Sequence, residues 1–322
     1  MNILALLGAA ALAFLPVQFA AAQKYPTRPI RMIVPYPPGG ANDLLGRMVG
    51  QKLAEAYGQQ VIIDNRGGAS GIVGAELGAK AAPDGYTLLF AGAALLAMNP
   101  ALLVKLPYQP LKDFAPVSMV GSTPFMLVTN LALPVKSVQD LVALAKAKPG
   151  QLNFASAGAG GPGRLAAELL KSMSGIDMMH VPYNGGGPAL SATISGEVQL
   201  FFSTIGPVWP LVKDGKLRGI AVTSLKRSAV VPDFPTIAES GVPGYEISNW
   251  FGIVVPAATP KAVIAPLNGE IAKALNLSDV KKRFIDLGAD PISGTPEELA
   301  AYTRSELAKW TKVVKAAGIT PE

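Results

Sequence analysis

The stretch Ile30-Arg31-Met32-Ile33-Val34-Pro35-Tyr36-Pro37-Pro38-Gly39-Gly40-Ala41-Asn42-Asp43 decides the fold. Its first five residues are short, mostly apolar and rich in β-branched side chains, which predicts a strand; the Pro/Gly run stops it. From about Asn42, Leu45, Met48, Val49, Leu53 and Ala56 recur at three and four residues, which predicts a helix. Asn42 or Asp43 is placed to cap it, and Gly58 to end it. Val61-Ile62-Ile63 supplies the next strand and Asn65–Gly71 a turn. A helix through Ala75–Ala81 and a strand Tyr86–Phe90 follow. The order β-α-β-α-β predicts a parallel sheet with right-handed crossovers.

The rhythm restarts after residue 124. Phe125–Thr129 is expected as a strand, and Ser137 opens a helix with Asp140 three residues on, a variant capping box. Strands follow at Asn153–Ala157 and Met178–Val181. Each runs into a Gly-rich turn, Gly158–Gly163 and Pro182–Pro188, and then a helix, Arg164–Ser174 and one ending at Ser195. Gln199–Phe202 and Gly219–Thr223 are two more strands, with a short helix near Pro207–Lys213 between them. Ser248–Val254 is an apolar strand able to cross back to the first domain. Helices are expected at about Pro260–Leu275, Ser278–Leu287 and Pro296–Ala316. This predicts one lobe from residues 24–124 plus 248–322 and another from 125–247, with the C-terminal helices on the first.

Composition fits that plan. Half of the 322 residues are hydrophobic and 16% are charged, so the chain is globular. Beyond the first 22 residues, ~300 remain, more than one ordinary core holds. Those first residues carry an apolar run, Ile3–Leu7 and Leu12–Leu15, that closes on Ala20-Ala21-Ala22. This pattern reads as a secretory signal peptide cut after Ala22, although no Lys or Arg precedes Lys24. A membrane anchor is the alternative, but Pro16 and Gln18 interrupt the run. The chain has no cysteine, so an exported form folds without disulfides. Its net charge of +6 suits an anionic ligand as well as a plain basic surface. Lys and Arg are scattered, with no basic run interleaved with aromatics, so nucleic acid is not indicated.

Chemistry has few candidates. The one histidine, His180, lies inside a strand, where packing usually explains it, and no G-x-S-x-G elbow is present. Without cysteine there is no thiol nucleophile, and no metal site of His/Cys type can be built. No G-x-G-x-x-G follows the first strand, and no P-loop pattern occurs, so no nucleotide or other cofactor is indicated. What the sequence does repeat is a strand ending in a Gly- or Pro-rich turn that opens directly into a helix. In open α/β sheets, ligands bind outside the carboxyl ends of the strands. Helix starts there offer free N–H groups and the positive end of a dipole. Two facing domains of this kind make a cleft walled by donors, which suits a carboxylate. Any single Gly-rich turn can equally be structural.

Many short motifs recur in one order. They include Tyr25-Pro26, Pro29-Ile30, Ile33–Gly40, Asn65-Arg66, Ala82–Leu88, Asn99–Leu102, Leu106–Tyr108, Asp113–Val117, Ser156-Ala157-Gly158 and His180–Tyr183. Ala221–Ser224, Pro235–Glu239, Trp250-Phe251-Gly252 and Pro256-Ala257 complete the series. Together they resemble the Bug family, the periplasmic solute receptors of tripartite tricarboxylate transporters, over essentially the whole mature chain. The resemblance implies a type II periplasmic-binding-protein fold, α/β, with two lobes that close on a ligand cleft. It implies a monomer in the periplasm that captures a small mono- or dicarboxylate and passes it to transporter membrane subunits. It implies no catalysis. A ligand sensor for a membrane signalling partner and an exported enzyme on a related fold are the alternatives.

Carried onto this chain, the first-lobe grip falls on Tyr36, Pro38, Gly39, Gly40, Ala41 and Asn42. Ser70, Gly71, Gly92, Ala93 and Ala94 join it. The second-lobe grip falls on Ser156, Ala157, Gly158, Gly161, Arg164, Tyr183, Ser203 and Thr204. Three departures from the family pattern stand out. Ala93 and Ala94 replace a hydroxyl residue, Arg164 replaces a histidine, and Ser203-Thr204 replaces Asp-Asn. They predict a pocket that is more apolar on one side and has no acidic partner for an ammonium group. Arg164 at a helix start is misplaced on dipole grounds, so a compensating anion is expected beside it, either a ligand carboxylate or an acidic side chain. A valine at Gly40 is expected to block backbone approach and strain φ.

Overall fold

The computed structural model describes residues 25–157, 162–183 and 185–319. The signal-peptide reading, residues 1–22, and the site candidates Gly158 and Gly161 lie outside them.

The opening unit is β1 (Ile30–Val34), α1 (Ala41–Tyr57), β2 (Val61–Asn65), α2 (Ile72–Ala79) and β3 (Thr87–Gly92). β1 pairs in parallel with both β2 and β3. The three-and-four spacing in α1 turns Leu45, Val49 and Leu53 fully inward. Gly58, in a left-handed conformation, closes the helix by donating its N–H to the Ala54 carbonyl. After β3 the chain does what no periodicity announced. It makes one π-helical turn, Ala94–Met98, and runs on into α3 (Asn99–Leu102). A short α4 (Pro110–Asp113) precedes β4 (Phe114–Thr129).

β4 is the largest departure from expectation. The sequence predicts a strand only over Phe125–Thr129, because Pro116 and Pro124 cannot donate to a ladder and argue against a longer one. The strand is in fact 16 residues long. Pro116 sits beside a register shift, where the ladder is already irregular. From Phe114 to Pro124 the strand pairs with β9 (Ser248–Pro256), and from Phe125 onward with β7 (Leu200–Thr204) and β8 (Arg218–Val222).

Between β4 and β7 lie α5 (Val138–Ala147), β5 (Asn153–Ser156), α6 (Pro162–Ser174), β6 (Met179–Pro182) and α7 (Gly186–Ser195). α8 (Ile205–Lys213) links β7 to β8. Ser137 caps α5 as expected, its hydroxyl accepting from the Asp140 amide at 3.1 Å. The Asp140 carboxylate reaches one residue further back than a standard box, to the Lys136 amide at 2.9 Å. After β9 come α9 (Lys261–Asn276), α10 (Ser278–Asp286), the two-residue β10 (Asp290–Pro291) and α11 (Pro296–Ala316).

The strand order β2-β1-β3-β9-β4-β7-β5-β6 therefore forms two half-sheets that share β4. Each is covered by helices, giving two lobes. α9 packs on α1 and β4, and α10 on α9 and β10. α11 lies against β4 and the helical run 94–102, and also touches α6. Its buried Glu306 accepts from the indoles of Trp250 (3.3 Å) and Trp310 (3.0 Å) and pairs with Lys309.

The two passages of chain between the half-sheets, at Phe125 and Ile247, are clasped by one buried side chain. The Thr223 hydroxyl accepts from the Phe125 amide at 2.7 Å and donates to the Ile247 carbonyl at 2.7 Å. Thr223→Val keeps the shape but leaves the Phe125 amide without that acceptor, which costs ~1–3 kcal/mol. An unfolding free energy lowered by that amount, seen as a lower urea midpoint with an unchanged m-value, is the expected result, and an unshifted midpoint would remove the clasp from the account.

Candidate ligand-binding cleft

The strand-to-helix turns of both lobes open on one cleft of about 1060 Å3. From the first lobe come Tyr36, just beyond β1, Asn42 in the first turn of α1, Ser70 in the turn after β2, and Ala94. From the second come Ala157 after β5, Arg164 in the first turn of α6, and Ser203 and Thr204 at the end of β7. These eight expected residues are brought together. Asn99, Asn249, Gly186 and Gly187 join them without having been singled out. Asn249 carried no local signal, because its place on the wall depends on where the chain re-enters the first half-sheet as β9.

The loop after β1 is held rigidly by groups that the sequence offers only as separate fragments. The Asp43 carboxylate, 2% exposed, accepts from the Gly39 amide at 2.9 Å, Arg47 Nε at 3.0 Å and Asn65 Nδ2 at 2.9 Å. Asn65 Nδ2 also reaches the Tyr36 carbonyl at 3.0 Å, and Arg47 donates to Asn65 Oδ1 at 3.0 Å. Burial alone would push the Asp43 carboxyl up. The hydrogen bonds from Arg47, Gly39 and Asn65, with the charge of Arg47, outweigh that and hold it below the usual carboxylate range. The Asp43 side chain, read as a cap, thus fastens the loop to both α1 and β2.

Several expectations are corrected in detail. Gly40 has φ −79°, which any residue adopts; the left-handed glycine of this loop is Gly39 at φ +88°. A valine at Gly40 would therefore not strain φ. Gly92 does not line the cleft. It lies in the ladder opposite Phe251, where a Cβ would stand 2.1 Å from the Trp250 carbonyl, so its lack of a side chain serves strand packing. Ala93 is fully buried. Pro38, Gly39 and Gly40 lie on the exposed loop before α1, Gly71 is buried in the turn after β2, and the backbone of Ala41 opens α1. Tyr183 donates its phenol to Glu197 at 2.8 Å, on the exposed side of its turn. Ser156 is fully buried, and its hydroxyl lies 2.6 Å from His180 Nε2.

The turn after β2 is conformationally costly. Ala69 (φ +46°) and Ser70 (φ +55°) both occupy the left-handed region, which is unusual for non-glycine residues. The Gly71 amide bonded to the Gly68 carbonyl at 2.9 Å and Asn99 Nδ2 at 3.4 Å from the Ser70 carbonyl hold it in place. This sets Ser70 on the cleft wall.

Electrostatically the cleft has one sign. Arg164 is the charged residue on its described wall. Glu168, one turn along α6 and 7% exposed, places Oε1 3.8 Å from Arg164 Nε and Oε2 3.2 Å from Lys171 Nζ. The expected compensating anion for Arg164 is thus in part this side chain. His180 stacks on Phe154 with ring centroids 5.1 Å apart. Burial, then the charges of Arg164 and Lys171, lower its pKa from 6.5 to about 4. Among the described residues no three His, Asp or Glu side chains gather closely enough to hold a metal ion.

Two predictions follow from these contacts. A carboxyl whose folded pKa is depressed contributes stability above its unfolded pKa of 3.8 and loses it as pH falls through the lower folded value. Asp43→Ala should therefore lower the urea midpoint at pH 7 and shrink that difference below pH 3.8, with faster hydrogen exchange at residues 36–40. For His180 the unfolded chain takes up its proton first, so stability falls as pH drops from 6.5 toward about 4. Imidazole resonances of this single histidine should titrate well below 6.5, and His180→Gln should flatten stability across that window. A midpoint near 6.5 would contradict the burial argument.

Comparison with known proteins agrees with this architecture. Residues 45–319 match the model of the tripartite tricarboxylate transporter family receptor, TctC. The chain is 39% identical over 298 residues to protein BugT of Bordetella pertussis, covering 92% of this chain and 91% of that one. It superposes on the structure of R. palustris Rpa4515 with adipate at a TM-score of 0.76 and 37% identity, over 92% of this chain and 100% of that one. MatC from Rhodopseudomonas palustris, with bound malate, gives a TM-score of 0.71 and 34% identity over 90% and 100%. The chain belongs to the TctC, or Bug, family of periplasmic solute-binding receptors, which are not enzymes.

Proposed function

We propose that the chain captures a small organic carboxylate in the cleft and presents it to the membrane subunits of a tripartite tricarboxylate-type transporter. The observation that carries this reading is the make-up of the cleft wall. Neutral donors from both lobes, Tyr36, Asn42, Ser70, Ser203 and Thr204, surround the space with Arg164, and the described wall has no Asp or Glu. An anion is favoured there and an ammonium group is not, which argues against an amino-acid ligand. Charge-assisted hydrogen bonds contribute ~1.5–3 kcal/mol each and a helix N-terminus ~0.3–1, so a few together give micromolar capture. The relatives bound to adipate and malate support the same class.

The lobes are drawn as residues 24–124 with 248–322, and 125–247. The switch of β4 partners between Pro124 and Phe125, and the return of the chain at Ser248, support these bounds. The protein acts as a periplasmic monomer, exported by cleavage of residues 1–22.

Two measurements test the reading. Arg164→Ala should weaken the carboxylate found to bind by about tenfold or more in calorimetry, since a charge-assisted contact is lost; unchanged affinity would remove Arg164 from the site. Because donors come from both lobes, binding should close them. Small-angle scattering should show a smaller radius of gyration at saturating ligand, and no compaction would contradict the two-lobe grip.

A further inference from the structure

We infer that Glu168, standing behind Arg164, sets how steeply the affinity of the cleft rises with the negative charge of its ligand. This rests on the carboxylate reading above and deepens it. Arg164, Glu168 and Lys171 fall at i, i+4 and i+7 of α6, so they share one helix face. Arg164 lines the cleft, and Glu168 and Lys171 do not. Charges of sign plus, minus, plus therefore run along α6 away from the wall, with Lys171 about 10 Å further along the axis than Arg164.

Helix stability does not account for the pairing of Arg164 with Glu168. A cation followed four residues later by an anion is the less favourable order, and a cation in the first turn opposes the dipole. Glu168 is also only 7% exposed, and burying a carboxylate costs free energy unless its charge is balanced. Both cations supply the balance. Oε2 lies 3.2 Å from Lys171 Nζ, and Oε1 lies 3.8 Å from Arg164 Nε. The second distance is beyond hydrogen-bond range, so Glu168 offsets the charge of Arg164 without binding that nitrogen. The exposed Asp177 offsets Lys171 in turn, at 3.8 Å. His180 adds no charge at neutral pH, because burial, then Arg164 and Lys171, lower its pKa to about 4. The guanidinium that a ligand meets is thus partly offset from behind, and each negative charge on the ligand feels the pair rather than Arg164 alone.

The test is calorimetry at neutral pH with acids paired by chain length, butyrate with succinate and hexanoate with adipate, on protein stripped of any copurified ligand. Glu168→Gln keeps the shape of the side chain and removes its charge. It should tighten the monocarboxylates about threefold and the dicarboxylates by more, with the gain shrinking at high salt. Lys171→Met, at a partly exposed position, should act in the opposite sense and weaken dicarboxylates more than monocarboxylates. If Glu168→Gln does not fold, Lys171→Met decides alone: a loss that grows with ligand charge upholds the inference, and no loss overturns it. A gain in Glu168→Gln that ignores ligand charge, weaker binding by that variant when folded, or shifts of one sign in both variants would overturn the inference and leave the carboxylate reading intact. Binding of none of the four acids to the native protein would remove both.

Discussion

The lobes are joined by two passages of chain, and the buried hydroxyl of Thr223 clasps them where β4 changes partners. Up to Pro124, β4 belongs to the ladder of β9; from Phe125 it belongs to β7 and β8. Proline has no N–H, so one rung is missing next to the changeover. Thr223 ties the Phe125 amide to the Ile247 carbonyl, so the outgoing and returning passages are held side by side. Each half-sheet keeps its own ladder on either side of this double passage. Strand ends from both halves consequently face one space, and the cleft exists because of that alignment.

How the cleft wall is built follows from backbone accounting. Turns that lead from strand to helix leave amides unsatisfied inside the helix, and they can be aimed at a ligand only if the turn itself is rigid. Here the rigidity is supplied from behind. Asp43 and Asn65 tie down the first loop, Gly71 and Asn99 hold the strained Ser70 turn, and the buried Ser156–His180 contact lies at the end of β5 just before Ala157. Of these residues Asn99 is itself on the wall, while Asp43, Asn65, Ser156 and His180 act on the turns without lining it. A sequence motif therefore marks the region of a site more reliably than it marks which member of the motif faces the ligand.

That distinction explains what was legible in the sequence. The opening unit was readable because Leu45, Val49 and Leu53 report a helical face through spacing alone, and Gly58 reports its end. β4 was not readable over its first part, since Pro116 and Pro124 contradict a strand locally and only pairing with β9 overrides them. The π-helical turn at Ala94–Met98 was invisible because its run of alanine and leucine has no period. Of the expected site residues, Tyr36, Asn42, Ser70, Ala94, Ala157, Arg164, Ser203 and Thr204 reach the wall. Tyr183 and Ser156 are not on this wall, and their hydroxyls bond Glu197 and His180, partners distant in the chain that no local pattern reveals.

The charge state of the second lobe completes the argument. His180 lies behind Ser156 and, held with a pKa of about 4, carries no charge at neutral pH. Glu168 is shared between Arg164 and Lys171, which moderates the positive field without reversing it. The described cleft wall thus presents one guanidinium among neutral donors. Such a wall favours an anion over a cation. Selectivity between acids then depends on what the rest of the ligand loses or gains when it leaves water against the remaining wall.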